Sequence, residues 1–173
     1  MHINMLNVRE IHVGDIPLIA KYWLNNDAEY LRGLGVDVLK LPTSQNFTAM
    51  LLSQINLPYP QKKGYALIWE ANGKAVGHSN LNPVVYGEEA SMHLHIWSEG
   101  NRKKGYGLEL IKMSLPFYFD NMQLKRIVCE PYALNNAPNR VLERAGFAFV
   151  KEYVTTPGSI TFEQPVKQWV LEK

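Results

Sequence analysis

Cysteine is almost missing from this chain. Cys129 is the only one in 173 residues, which excludes an internal disulfide and suits a reducing compartment. Long apolar runs are missing too, and none approaches the length of a membrane span. The opening Met1-His2-Ile3-Asn4-Met5 has no charged segment followed by an apolar core, so no signal peptide is expected and a cytoplasmic location is the default. Charge of one sign is not in excess. The 18 Lys and Arg against 16 Asp and Glu leave a net +2, and no basic run extends beyond residues 102–104. Neither nucleic acid nor a membrane surface is therefore expected as a partner. No repeat, low-complexity tract or linker divides the chain, whose length suits one domain over 1–173 with a substantial core.

What is present is an alternation of helical and strand-like segments. Leu6–His12 reads as a strand. Asp15 caps a helix to about Asn25, with Pro17 in its first turn and Ile16, Ile19, Ala20, Trp23 and Leu24 at helical spacing. Residues 31–42 read as irregular, and Thr43 or Ser44 caps a second helix to about Ile55. Tyr65–Ala71 and Lys74–Leu81 form a hairpin across Asn72-Gly73. Asn82–Glu89 then turns into a strand over Ala90–Trp97. The next helix, 107–120, carries Pro116 inside it, which predicts a kink or an early end there. Arg126–Glu130 is a short strand, and two more follow at Phe147–Thr155 and about Thr161–Leu171.

Between the Ala90–Trp97 strand and the helix lies Arg102-Lys103-Lys104-Gly105-Tyr106-Gly107. A strand, a basic glycine-bearing turn and a helix N-terminus together present unpartnered N–H groups and a positive dipole end to a pyrophosphate. Glycines at 105 and 107 let the ligand approach the backbone. The P-loop is excluded, because Tyr106 and Gly107 stand where Lys and Ser/Thr should follow Gly105. The dinucleotide fingerprint is excluded by the lack of a third glycine. The pattern R-x-x-G-x-G remains. About 30 residues on, Asn135-Asn136-Ala137-Pro138-Asn139-Arg140-Val141-Leu142-Glu143-Arg144-Ala145-Gly146-Phe147 reads as a complete short helix. An Asn supplies its N-cap, Pro138 sits in its first turn and Gly146 takes the left-handed position after its end.

Both stretches resemble motifs of the GNAT superfamily of acyl-CoA N-acyltransferases, the second matching N-x-x-[SA]-x-x-[VL]-[LY]-E-[KR]-x-G-F. A weaker likeness at Val8–Ile11, Gly14–Pro17 and Tyr22–Asn25 is to the ribosomal-protein N-terminal alanine acetyltransferases. The resemblance implies an α/β (α+β) fold with a mixed, mostly antiparallel sheet of about six to seven strands flanked by helices, splayed between the fourth and fifth. Acetyl-CoA is implied as cosubstrate in that splay. Arg102, Lys103, Lys104, Gly105, Tyr106 and Gly107 would face its pyrophosphate. The backbone near Ile96, Trp97 and Ser98, with Asn135, would face its pantetheine arm. Asn139 could act near the sulfur through water.

The implied reaction is N-acetylation of a primary amine, on a peptide terminus or a small molecule, by direct attack in a ternary complex. The alternative is an inactive CoA-binding sensor. Relatives often carry a Tyr acid where Leu142 stands, and Pro138 cannot donate a hydrogen bond. Candidate bases are His93 and His95, which share a strand face with Trp97, and Glu130 at the end of its strand. A simple turn at 82–89 would set His78 opposite His93. Without a carboxylate or thiolate beside them, these imidazoles do not make a metal site. Cys129 reads as a small core residue. Asp27, Glu29, Tyr30, Tyr86, Glu88 and Glu89 could line the acceptor side, and an acidic pocket there would favour a polycation. The chain is expected to be a monomer or homodimer.

Overall fold

The structure, a computed structural model, describes residues 5–102 and 104–173. Met1–Asn4, on which the signal-peptide reading rests, and Lys103, one of the candidate pyrophosphate residues, lie outside the described residues. In chain order the elements are β1 (Leu6–Glu10), α1 (Ile16–Leu24), α2 (Ala28–Gly33), α3 (Ser44–Ile55), β2 (Tyr65–Ala71), β3 (Lys74–Val85), β4 (Glu89–Ile96), α4 (Tyr106–Pro116), β5 (Arg126–Cys129), α5 (Asn136–Arg144), β6 (Ala148–Thr155) and β7 (Gln164–Glu172). Among the described residues the seven strands make one sheet in the order β1-β2-β3-β4-β5-β7-β6.

Every pairing is antiparallel except β4 with β5, which holds only from Glu89↔Arg126 to Ser91↔Val128. Past that point β4 runs on to Ile96 while β5 stops at Cys129, so the sheet opens between its fourth and fifth strands. This is the implied fold, splay included.

The sheet is buried on both faces at its centre, which is why β2 reads as the unbroken apolar run Ala66–Trp69. One face sets Leu67, Trp69, Leu81 and Met92 against Leu110 and Ile111 of α4. The other sets Ile68 against Ile19 and Ala20 of α1 and Phe47 of α3. Each such fully buried side chain contributes about 1.5–3 kcal/mol of transfer free energy. The Trp69 indole finds its partner in Ser114 Oγ at 2.9 Å, so the core leaves no stranded donor there. Pro116, with no N–H to offer, ends α4, and the chain continues as a π-helical turn, Phe117–Asn121, that keeps Tyr118 and Phe119 buried.

Three local expectations are corrected. Residues 31–42 are not wholly irregular: α2 starts at Ala28, with the Asp27 carboxylate accepting from the Tyr30 N–H at 2.9 Å, and reaches Gly33. Asn82–Glu89 is not a simple turn either. β3 continues through a bulge between Leu81 and Val84, which accommodates Pro83 without a ladder N–H, and the hairpin closes at residues 86–88 with Gly87 at φ +78°. The longer hairpin shifts the register, so His78 pairs with His95 and it is Asn80 that faces His93. Finally, β1 stops at Glu10, ahead of a 3-10 turn at Val13–Asp15, and β7 starts at Gln164, after a turn at 158–161 in which Thr161 bonds Gly158.

Candidate functional site

The splay opens into a cleft of about 1490 Å³. The half where the cofactor is expected is bounded by the end of β4, the first turn of α4 and the first turns of α5. Gly105 sits at φ +79° as the N-cap of α4, and no side chain caps the free N–H groups behind it. A Cβ built on Gly105 would meet no protein atom within 4 Å, so the backbone there faces open cleft. At Gly107 a Cβ would sit 3.6 Å from Val141 Cγ2, in ordinary contact with α5.

Alternation along β4 fixes what else faces the splay. The N–H of Trp97 is spent on Val76 O at 2.9 Å, so the neighbouring even residues aim their backbone groups into the opening. Two of those carbonyls are covered. Met92 O accepts the Cys129 S–H at 3.0 Å, and Ile96 O accepts Arg102 Nε at 3.2 Å. Leu94, not singled out from the sequence, belongs to this edge as well. Burial pushes the Cys129 thiol up to about 12, so it stays protonated and acts as a packed donor.

Arg102 behaves differently from a phosphate-facing side chain. Its guanidinium folds back onto the Ile96 and Trp97 carbonyls and lies 4.3 Å over the Tyr30 ring. Lys104 is exposed beside Tyr106. Asn135 lines the cleft at the N-cap of α5, with its side chain free of capping duty. Asn139 points away from it. Its Nδ2 donates to Tyr132 O and Asn135 O, and its Oδ1 accepts from the Trp169 indole at 2.9 Å. Leu142 is wholly buried in the core.

On the opposite face of β4, the histidines meet α1. His95 stacks on His78 with centroids 5.0 Å apart, and Trp23 meets it edge-on at 4.6 Å. Tyr22, buried in α1, places its hydroxyl 3.1 Å from His95 Nδ1 and 3.2 Å from the Tyr30 hydroxyl. The Trp97 indole donates to His78 Nδ1 at 2.7 Å, which puts the remaining ring proton of His78 on Nε2. Tyr22 is a site residue not singled out by the sequence, although it lies one turn after the buried Ile19 on α1.

His93 is held separately. Its Nε2–H donates to Asn82 O at 2.9 Å, which leaves Nδ1 of the neutral ring as a lone pair. All three imidazoles are pushed down by burial. His78 falls to about 3, helped by the charge of His93, and His95 falls well below the usual range, helped by His78 and His93. His93 falls as well, opposed by its bond to Asn82 and by the negative charge of Glu130. Glu130 lines the cleft from the end of β5, its Oε1 accepting from Tyr153 at 2.5 Å and Gln168 at 2.7 Å. Among the described residues no group of three or more His, Cys, Asp and Glu is placed to hold a metal ion.

Neutral buried histidines make stability pH-dependent with a definite sign. The unfolded chain binds a proton at His78 below about pH 6.5, whereas the folded one does so only near 3. Its contribution is therefore complete above 6.5 and is lost as pH falls, by about 2 kcal/mol between pH 7.5 and 5 for one such group. His78→Gln keeps an acceptor for Trp97 but removes the titration. Urea unfolding at the two pH values should show the wild type losing more stability than the variant, and equal losses would contradict this.

The acidic side chains expected at the acceptor side are elsewhere. Asp27 caps α2, and Glu29 is exposed outside the cleft. Glu88 pairs with Lys125 and Glu89 with Arg126 on the outer surface. The roof over the acceptor half is instead bolted down by hydrogen bonds to backbone carbonyls. Asp37 N donates to Ile160 O, Lys40 Nζ to Thr161 O, and the buried Gln164 Nε2 to Gly35 O at 2.8 Å.

A family model described as an acetyltransferase (GNAT) domain matches residues 5–148. The chain belongs to the GNAT acetyltransferases. It is an acetyl-CoA-dependent N-acetyltransferase by that membership. No curated protein sequence matches it. Two solved structures share the GNAT fold over nearly all of both chains. Spermidine N-acetyltransferase from Vibrio cholerae, with CoA and spermine, superposes with a TM-score of 0.77 at 17% identity, covering 96% of this chain and 95% of that one. RimL, a ribosomal L7/L12 alpha-N-protein acetyltransferase with CoA, gives 0.77 at 13% identity, covering 96% and 93%. The residues present fit acetyl-CoA. The open backbone at Gly105, the uncapped first turn of α4 and the free edge of β4 are the groups that would hold its polar arm. No helix among the described residues is long and apolar enough to cross a membrane.

Proposed function

We propose that this GNAT protein acetylates a primary amine by direct attack within a ternary complex, with His93 as the general base. The observation that carries the reading is the state of His93. It lines the cleft, its Nε2–H is anchored on a backbone carbonyl, and burial keeps the ring neutral with Nδ1 available. A neutral imidazole accepts an ammonium proton at ordinary pH, and the carboxylate of Glu130 favours the imidazolium that results. His95 holds a positioning place, since its Nδ1 is shared with Tyr22 and its ring is stacked on His78.

In this reading the N–H groups at Gly105, Tyr106 and Gly107 take the pyrophosphate, with Lys104 adding charge. Leu94 and Ile96 offer backbone groups to the pantetheine arm, and Asn135 reaches the same arm. Arg102 braces the end of β4 against Tyr30. With Leu142 in the core and Asn139 turned inward, neither stands as an acid beside the sulfur, and the thiolate leaves as CoA and takes its proton from solvent. Holding the two reactants in line supplies much of the rate.

The test is calorimetric titration with acetyl-CoA, followed by thiol release against a panel of amines. Binding with release that depends on added amine is the expected result. Binding without release for any amine would leave a CoA-binding sensor in its place.

A further inference from the structure

We propose that the acceptor is a monoamine with an apolar body, an alkyl- or arylalkylamine rather than a polyamine; this rests on the transferase reading above. α3 turns Phe47, Met50, Leu51, Gln54 and Ile55 toward the cleft, one stripe at helical spacing. Phe47 alone in that stripe is buried, packed on Ile68. Met50 is 48% exposed, Ile55 is half-buried and Leu51 packs only in part on the Phe47 cluster, so the rest of this apolar face is left uncovered over the sheet. The stripe's one polar member is already engaged, Gln54 Oε1 accepting from the N–H groups of Lys63 and Gly64. Across the gap, the roof adds Val36 and Ile160, bolted in place as described.

Charge points the same way. Glu10 is the carboxylate on this half, and its Oε1 already accepts the hydroxyls of Tyr59 and Tyr65, each at 2.6 Å. Against it stand Lys63, Lys40, which also lies 3.9 Å from Asp37, and the buried Lys62, whose ammonium donates to the Gln54 and Ile55 carbonyls. A second or third ammonium would enter a half-cleft where cations outnumber carboxylates, with the nearest carboxylate already hydrogen-bonded. One ammonium suffices for the reaction, and it is discharged at His93. The amine nitrogen bonds to the acetyl carbon and the C–S bond breaks. R–NH₃⁺ and acetyl-CoA thus give the N-acetyl amine, CoA–SH and one proton.

The experiment compares kcat/KM for 2-phenylethylamine, hexylamine, spermidine and a short peptide with N-terminal Ala, read by thiol release with acetyl-CoA saturating. The two apolar monoamines should exceed spermidine by roughly tenfold or more, the scale on which an apolar pocket discriminates. Met50→Glu, which places a carboxylate on the half-exposed stripe, should lower that ratio by a similar factor. Preference for spermidine or for the peptide, or a ratio unmoved in Met50→Glu, would overturn the acceptor assignment and leave the transferase intact. Release with none of the four, while acetyl-CoA still binds, would overturn both.

Discussion

Gly105→Asp is expected to abolish acetyl-CoA binding while leaving a folded protein. Gly105 holds φ +79°, a conformation that costs an ordinary L-residue about 1–2 kcal/mol but one that Asp and Asn visit more readily than most. No protein atom lies within 4 Å of the position its Cβ would take, so the core does not register the change. What registers it is the ligand. The aspartate carboxylate would stand at the uncapped start of α4, where it satisfies the N–H groups itself and repels the pyrophosphate. Hydrogen bonds to charged groups contribute about 1.5–3 kcal/mol each, so losing two weakens binding by at least about a hundredfold. Gly105→Asn separates the causes, because it brings the same bulk and the same backbone strain without the charge. Calorimetry should rank wild type, Asn and Asp in falling affinity. Wild-type affinity in a folded Gly105→Asp protein would remove the pyrophosphate from this turn.

The short helix of the second motif was legible in the sequence because local chemistry decides it, whereas the splay followed from the family resemblance. An Asn cap, a proline-containing first turn and Gly146 at φ +93° after α5 are readable from residue type alone. The acceptor half was not, and the reasons are tertiary. Pro83 announces a break, and only the bulged pairing of β3 with β4 shows that the strand survives it and moves His78 opposite His95. Arg102 belongs to the basic turn by position, yet its planar side chain folds onto two carbonyls and a tyrosine ring. Asn139 fits its family position, but the Trp169 indole, thirty residues away, claims its oxygen. Asp27 read as a pocket carboxylate although its spacing to Tyr30 is that of an N-cap.

His93→Ala is expected to lower kcat/KM for the amine by about 10²–10⁴-fold, the usual contribution of a general base, with acetyl-CoA affinity unchanged. The ring contributes nothing to the cofactor half, and its loss leaves only the Asn82 carbonyl, at a solvent-reachable bulge, to find another donor. The pH profile distinguishes a base from a packing residue. In the wild type kcat/KM should fall as pH drops through the His93 pKa, which burial holds below 6.5. Glu130 opposes that burial, so Glu130→Gln should move the limb to lower pH rather than erase it. His93→Ala should erase the limb and leave a slow rate that climbs with pH as the amine itself deprotonates. His95→Ala makes the sharpest contrast. It removes the ring from between Tyr22 and His78, so it should cost stability and rate while preserving the limb. A limb that vanishes in His95→Ala and persists in His93→Ala would transfer the base to His95. Tyr22, whose hydroxyl burial keeps protonated far above its ordinary range, would then orient that ring as a hydrogen-bond partner and take no proton itself.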